Sequence, residues 1–445
     1  MDNRLLLTFY GDDFTGSTDA MEALHQYGLR TLLFMTPPDK ALLDQFEGVQ
    51  CIGVAGTSRA KDTEGMKAEL TPVYEAFQKM NPYFVHYKVC STFDSSPATG
   101  SIGYAADLAR NYFGTGVYPL LVAAPALGRY TAFGNHFAKF HGQTYRLDQH
   151  PVMSRHPVTP MDEADLSIHL SKQTDQEVDK YSIADMNETK HFDIKEKNAI
   201  TLFDAVEQKH MEAFGNMIWE SRHDEATFLI GSSGVEYALG ETWKDNADVN
   251  QNSLGLKADD INKMLVVSGS VSDVTKRQLE EAESNGFHTE RVPYELLASE
   301  EIPTDYLNGI IELIGNEKKV VLYTARGADD PVVEETRTYF TENNVTGSHG
   351  NHIGQQLGKW TKYIMDHTDI RRLVVSGGDT SGFVTSQLGI YGMEVIESIA
   401  PGAPLCLAYS DQERYNNLEI ALKSGQLGGE AFYGKVFEAG KDTTV

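Results

Sequence analysis

Short apolar runs alternate with amphipathic stretches along almost the whole chain, and this alternation limits the fold more than any other feature. Residues 5–10, 31–35, 50–55, 83–89 and 118–124 read as buried strands. Between them, residues 18–27, 62–79 and 103–112 carry apolar side chains at helical spacing. Apolar strands that alternate with helices imply a mainly parallel sheet covered on both faces. The middle is less regular. Residues 125–160 are rich in Gly, Pro, His and aromatics, which predicts loops and a hairpin. A helix is predicted over 162–173, strands over 199–203 and 226–230, and a helix over 206–221 between them.

Residues 243–262 are polar and rich in Asn and Asp, with no strand signal. A second alternating series then begins. Its strands are expected at 264–268, 287–292, 319–324, 372–376 and 404–409. Its helices are expected at 274–284, 306–314, 332–342 and 352–367. The chain of 445 residues is long enough for two or more domains. The expectation is two α/β domains with mainly parallel sheets, 1–245 and 260–445, and an interdomain cleft as the default site.

The net charge, 38 − 64 = −26, argues against nucleic acid and membrane surfaces as partners, because both attract cations. An anionic substrate must then be held by a few placed cations and backbone N–H groups. Cys51, Cys90 and Cys406 have neither metal nor redox spacing, which fits a reducing cytoplasm. The apolar run near the N-terminus is too short for a signal sequence or a membrane span.

Four places depart from plain core and plain surface. The first is Tyr10-Gly11-Asp12-Asp13-Phe14-Thr15-Gly16, at the carboxyl end of the first strand, where open parallel sheets bind ligands. Asp12 and Asp13 there can serve as general base, as partner of a substrate hydroxyl or as metal ligand. Equally, Asp13 or Thr15 can simply cap the next helix. The second is Lys88-Val89-Cys90-Ser91-Thr92-Phe93-Asp94, after the fourth strand. With Arg59 from the third strand's end, Lys88 supplies two cations to one rim, with Ser91 and Thr92 as hydroxyl partners. A surface Ser/Thr loop with incidental charges has the same composition.

The third and fourth places lie in the second half. Ser268-Gly269-Ser270-Val271-Ser272 and Ser376-Gly377-Gly378-Asp379-Thr380-Ser381 each link an apolar run to a helix start. Such turns cradle anions on backbone N–H groups, and two in one domain point to a nucleotide. Asp379 can face a magnesium ion through water, or a ribose hydroxyl. Neither turn has a Gly-Lys-Ser/Thr ending, and no Gly-x-Gly-x-x-Gly follows the first strand. His169 and Gln173 share a helix face, and a lone His there is more often structural than catalytic. The His residues form no HExxH pattern, so the direct metal ligands stay open.

Taken together, these motifs resemble the four-carbon acid sugar kinase family. Gly11-Asp12-Asp13-Phe14-Thr15-Gly16 is similar to the family's opening motif. Pro157-Val158-Thr159-Pro160-Met161, Pro401-Gly402-Ala403-Pro404 and Leu422-Lys423-Ser424-Gly425 are similar to later ones. The resemblance implies an N-terminal sugar-acid domain, a C-terminal ATP domain and ATP- and Mg²⁺-dependent phosphorylation of a small sugar-acid hydroxyl. It places Asp13, Arg59, Lys88 and Ser91 on the substrate side. It places Ser270, Gly377, Gly378, Asp379, Thr380 and Gly425 on the nucleotide side, next to Ser268. Many members read Lys-Val-Asp-Ser-Thr-Leu-Arg-Gly where this chain has Lys88-Val89-Cys90-Ser91-Thr92-Phe93-Asp94-Ser95. The expected substrates are a tetronate, a 3-oxo-tetronate or a branched acid such as 3-oxo-isoapionate, and Cys90 in place of Asp, the lost Arg and the added Asp94 count against a straight-chain tetronate. A non-catalytic sensor of the same fold stays open as the alternative, and a homodimer is compatible with either.

Overall fold

The computed structural model describes residues 4–188, 192–195, 198–244, 246, 249 and 255–441. The chain forms two compact units, Met1–Leu254 and Gly255–Val445.

Unit 1 contains β1 (Leu7–Gly11), β2 (Thr31–Phe34), β3 (Cys51–Ala55), β4 (Phe84–Lys88), β5 (Val117–Leu121), β6 (Arg129–Ala132), β7 (Asn135–Phe140), β8 (Gln143–Arg146), β9 (Glu177–Tyr181), β10 (Ala199–Phe203) and β11 (Thr227–Gly231). Its main sheet runs β2-β3-β1-β4-β11-β5-β10-β9. Every pairing in it is parallel. All residues of β1, β2, β4, β5, β10 and β11 are buried, as expected of strands covered on both faces. Tyr74, Phe113, Tyr118 and Phe228 fill one side, with ring centroids 4.8–5.6 Å apart. Each such side chain contributes about 1.5–3 kcal/mol by leaving water. The chain lays β2 and β3 on one side of β1, then crosses to β4 on the other. The order therefore reverses at β1, and a crevice opens at the carboxyl ends of β1, β3 and β4.

Four departures from expectation stand out. The helix expected at 18–27 spans Phe14–Gln26, because Asp13 caps it and starts it earlier. The region expected as loops and a hairpin holds a three-stranded antiparallel sheet, β6-β7-β8. The strand β9, Glu-Val-Asp-Lys-Tyr, lies at the sheet edge and is largely open to solvent, so it carries no apolar run to read. The helix expected at 162–173 spans only Leu166–Ser171, capped by Asp165.

Unit 2 contains β12 (Met264–Ser268), β13 (His288–Arg291), β14 (Lys319–Tyr323), β15 (Arg372–Ser376), β16 (Ile390–Ala400), β17 (Ala403–Ser410) and β18 (Leu418–Lys423). The order is β13-β14-β12-β15-β18-β17-β16. It is parallel through β18 and antiparallel at β18–β17 and β17–β16. Again the chain reverses direction across the sheet, from β14 on one side of β12 to β15 on the other. The strands β16 and β18 escape the apolar pattern because glutamates interrupt them. In β18, Glu419 is buried against Arg372, which donates to it from Nε at 2.6 Å and also binds the carbonyls of Asp259, Val436 and Ala439. The start of unit 2 and its last helix are thereby tied to the sheet.

Candidate functional site

In unit 1 the crevice at the end of β1 collects the predicted side chains. Asp12 leaves β1 with its N–H bonded to the carbonyl of Lys88, and its carbonyl accepts from the N–H of Arg59. The ends of β1, β3 and β4 are thus stitched together by backbone before any side chain acts. The turn carrying Arg59 is fixed from beneath. Tyr10 Oη and the N–H of Thr57 both donate to Glu69, each at 2.7 Å, and Ser58 Oγ lies 3.0 Å from Tyr87 Oη.

Arg59 was expected on the rim as a cation for the substrate. It lies there and pairs with the aspartates: Nε and Nη2 hold the two Asp12 oxygens at 3.1 and 2.6 Å, and Nη2 holds Asp13 Oδ1 at 2.8 Å. Two adjacent carboxylates at a strand end are tolerable because this guanidinium lies between them. The two are unequal. Asp12 is 2% exposed, and burial pushes its pKa up against Arg59, which pulls it down. Asp13 is 30% exposed. Its Oδ1 accepts from the N–H of Gly16 at 2.9 Å and from Arg59. Asp13 is therefore the helix cap, and its second oxygen has no hydrogen-bond partner among the described residues.

Lys88 is buried at the end of β4, with Nζ 3.7 Å from Asp19. Burial pulls its pKa down, but Asp19, Asp13 and Asp12 together outweigh this and hold the ammonium charged. A Cβ on Gly16 would lie 2.4 Å from Asp13 Oδ1 and 2.6 Å from Lys88 Nζ. Glycine is what lets carboxylate and ammonium share the first helical turn.

Ser91 and Thr92 lie on the loop beyond β4. The Ser91 carbonyl meets His136 Nε2 at 2.9 Å, and His136 Nδ1 meets Thr131 Oγ1 at 2.9 Å, so the antiparallel sheet props this loop. Thr92 donates to Asp94 at 2.7 Å and lies 3.0 Å from Cys90 Sγ, so its hydroxyl is engaged within the loop. His169 and Gln173 are structural: His169 Nε2 lies 3.1 Å from Ser95 Oγ, and Gln173 donates to that hydroxyl while accepting from the N–H of Ile102. Sequence reading missed Arg129, at the start of β6. Its charge reaches Cys90 and Asp94, and its Nε is buried without a hydrogen-bond partner among the described residues. Nothing near it in sequence marks it, since the hairpin expected over 125–160 came without strand bounds or register.

In unit 2 three loops follow three neighbouring strands, β12, β15 and β18. Ser268, Ser376 and Lys423 stand in one row across them. Ser270 and Gly377 are close: a Cβ on Gly377 would come 3.6 Å from Ser270 N and 3.0 Å from Thr380 Oγ1. On Gly425 it would come 2.4 Å from Ser270 Oγ. Ser272 Oγ and Thr275 Oγ1 both donate to the Gly425 carbonyl. Gly377 has φ 124°, a conformation open to glycine, and precedes the helix Gly378–Gln387. A Cβ on Gly378 would meet nothing within 4 Å, so the helix start faces open space. Asp379 is exposed in that first turn. The predicted residues Ser268, Ser270, Gly377, Gly378, Thr380 and Gly425 thus come together, and Lys423 joins them unforeseen.

Residues 7–239 match the family described as a sugar-binding N-terminal domain, and residues 265–433 match that of a nucleotide-binding C-terminal domain. Fold, loops and these matches define a two-domain kinase of small sugar acids. The chain is 38% identical to a 3-oxo-isoapionate kinase of Paraburkholderia graminis, over 98% of this chain and 94% of that one. It is 27% identical to a 3-oxo-tetronate kinase of Pseudomonas fluorescens, covering 97% and 96%. Among solved structures, a Salmonella typhimurium protein matches with a TM-score of 0.79 at 23% identity, covering 96% of this chain and 98% of that one. A Haemophilus influenzae protein matches at 0.72 and 20%, with the same coverage. These two show the shared fold. The chain belongs to the four-carbon acid sugar kinase family.

Proposed function

We propose that this kinase uses ATP and Mg²⁺ to phosphorylate a hydroxyl of a branched 3-oxo sugar acid of the 3-oxo-isoapionate type. The observation that carries the chemistry is the asymmetry of the aspartate pair. Asp12 is buried with both oxygens on Arg59. Asp13 keeps one oxygen free at the crevice. That oxygen takes the proton of the substrate hydroxyl, while the hydroxyl oxygen bonds to the γ-phosphorus and the bond to the ADP oxygen breaks. Catalysis rests on positioning and charge neutralisation. Arg59 and Lys88 offset the carboxylates of Asp12, Asp13 and Asp19 at the crevice, and Arg129 brings a further cation to the Cys90–Asp94 loop. A keto or branched acid fits a loop altered at Cys90 and Asp94, and the 38% identical relative bears that substrate's name.

In unit 2, Ser270, Gly377, Gly378, Thr380 and Gly425 hold the triphosphate through backbone and hydroxyl donors. Among the described residues no group of three or more His, Cys, Asp and Glu side chains is placed to hold a metal ion. Asp379, exposed at the helix start beside the glycine turn, would help hold Mg²⁺, which would supply neutralisation of the phosphate charge. Cys51, Cys90 and Cys406 form no disulfide among the described residues, which suits the cytoplasmic enzyme proposed here. No helix among the described residues is long and apolar enough to cross a membrane.

ADP release measured across tetronates, linear 3-oxo-tetronates and branched 3-oxo acids tests the proposal. The expected result is the highest kcat/KM on the branched 3-oxo acid. Higher kcat/KM on a linear tetronate would refute the substrate assignment.

A further inference from the structure

Lys423 is a buried cation with no anion beside it. It closes β18 and is 1% exposed. Its Nζ reaches Thr275 Oγ1 at 3.4 Å, long for a charged donor, and that hydroxyl already lies 3.0 Å from Ser270 Oγ and 3.2 Å from the Gly425 carbonyl. The ring of Phe432 is 6.0 Å away, at the limit of a cation–π contact. No Asp or Glu lies within ion-pair distance of it among the described residues.

The charged groups on the surrounding elements are engaged elsewhere or point outward. On the helix Asp273–Ser284, Lys276 pairs with Asp329 and Arg277 with Glu430, while Asp273 is exposed. On β18 and β15, Glu419 and Arg372 hold each other. On the helix Phe432–Glu438, Tyr433 Oη lies 2.9 Å from Ser376 Oγ, and Lys435 and Glu438 are exposed. Asp379 is exposed beyond the Gly377 turn. Burial, with nothing to oppose it, pulls the Lys423 pKa down to about 7. A fold that buries an amine at this row, between Ser270, Thr275, Gly377 and Gly425, leaves its missing counter-charge to a ligand.

We infer that Lys423 is the phosphate-binding cation of the nucleotide site, and that it takes up a proton when the nucleotide's oxyanion arrives. The inference rests on the proposed assignment of the unit 2 loops to the nucleotide. A phosphate oxygen within hydrogen-bond reach favours the charged ammonium, so binding draws a proton from solvent wherever the free amine is partly neutral. Uptake is large at pH 8 and small at pH 6, below the amine's pKa.

The test is isothermal titration calorimetry of Mg²⁺–ADP and Mg²⁺–ATP into the full chain, at pH 6 and pH 8, in buffers of differing ionisation enthalpy. The wild type should show buffer-dependent uptake at pH 8 that largely vanishes at pH 6. Lys423→Met should lose that uptake and bind about 10–100-fold more weakly, the value of one charge-assisted hydrogen bond. The same variant corrects for protons exchanged by the nucleotide itself. Because it replaces an unpaired buried amine with an apolar chain of similar length, it should melt at or above the wild-type temperature. Lys423→Arg, charged at both pH values, should bind without uptake. Wild-type binding with no proton uptake, or Lys423→Met binding like wild type, would overturn the inference and leave the nucleotide assignment standing. Wild-type protein that binds neither nucleotide would overturn both.

Discussion

Asp13 has two roles that one substitution separates. Its Oδ1 caps the helix Phe14–Gln26 through the N–H of Gly16 and accepts from Arg59, while the other oxygen is assigned to the proton. Asn caps a helix about as well as Asp. In Asp13→Asn the amide oxygen can keep both Oδ1 contacts, and the amide nitrogen replaces only the free oxygen. The cap survives, so stability should change by only a few tenths of a kcal/mol. The base is lost, so kcat should fall by about 10²–10⁴. Asp13→Ala removes the cap as well, at about 0.5–2 kcal/mol. For a unit of this size that is a melting shift of roughly 1–8 °C. Steady-state ADP release with the sugar acid varied at saturating nucleotide, beside thermal melts of both variants, reads the two effects separately. The reasoning predicts Asp13→Asn near wild type in melting and far below it in kcat, with nucleotide affinity unchanged. An Asp13→Asn enzyme within threefold of wild-type kcat would refute the assignment of the base.

Other expectations follow from single contacts. Arg372→Met leaves buried Glu419 without its cation and strips the carbonyls of Asp259, Val436 and Ala439 of their donor. Unfolding free energy of unit 2 in urea should fall by about 3–5 kcal/mol, and a loss under 1 would contradict that account. Gly377→Ala forces a side chain into φ 124° and against Thr380, so nucleotide KM should rise about tenfold or more while sugar-acid KM holds. Burial lowers the His136 pKa to about 4, so the fold holds it neutral. The unfolded chain binds the proton first, so its stability contribution is complete above pH 6.5 and is lost as pH falls toward 4, on the order of 3 kcal/mol in all. His136→Gln should flatten the urea-midpoint profile over that window, and an unchanged slope would show that another group titrates there.

Much of the architecture was legible because parallel strands covered on both faces must be largely apolar, and β1, β5 and β12 are. Edge and ion-paired strands break that rule. In β9 most residues face solvent, and in β18 Glu419 is buried only because Arg372 meets it. The strand-end loops were legible too, since Asp12-Asp13 and Gly377-Gly378 are costly or useless except at a crevice. What pairs with what was hidden. Arg59 read as a rim cation for the substrate, and its pairing with the aspartates 46 and 47 positions away was not foreseen. Arg129 gave no local signal, and Lys423, though inside the Leu422–Gly425 motif, was given no site role, because their surroundings come from strands distant in sequence. The strong negative charge of the chain is answered locally by these few buried or half-buried cations.

The central claim is that the protein transfers a phosphoryl group from ATP to a sugar-acid hydroxyl. Mass spectrometry of the protein incubated with Mg²⁺–ATP and a mixture of linear and branched sugar acids tests it most directly. The account predicts one acid, a branched 3-oxo acid, gaining a single phosphoryl group in step with ADP, and no gain with Asp13→Asn over the same time. Nucleotide binding with every acid recovered unmodified would contradict it.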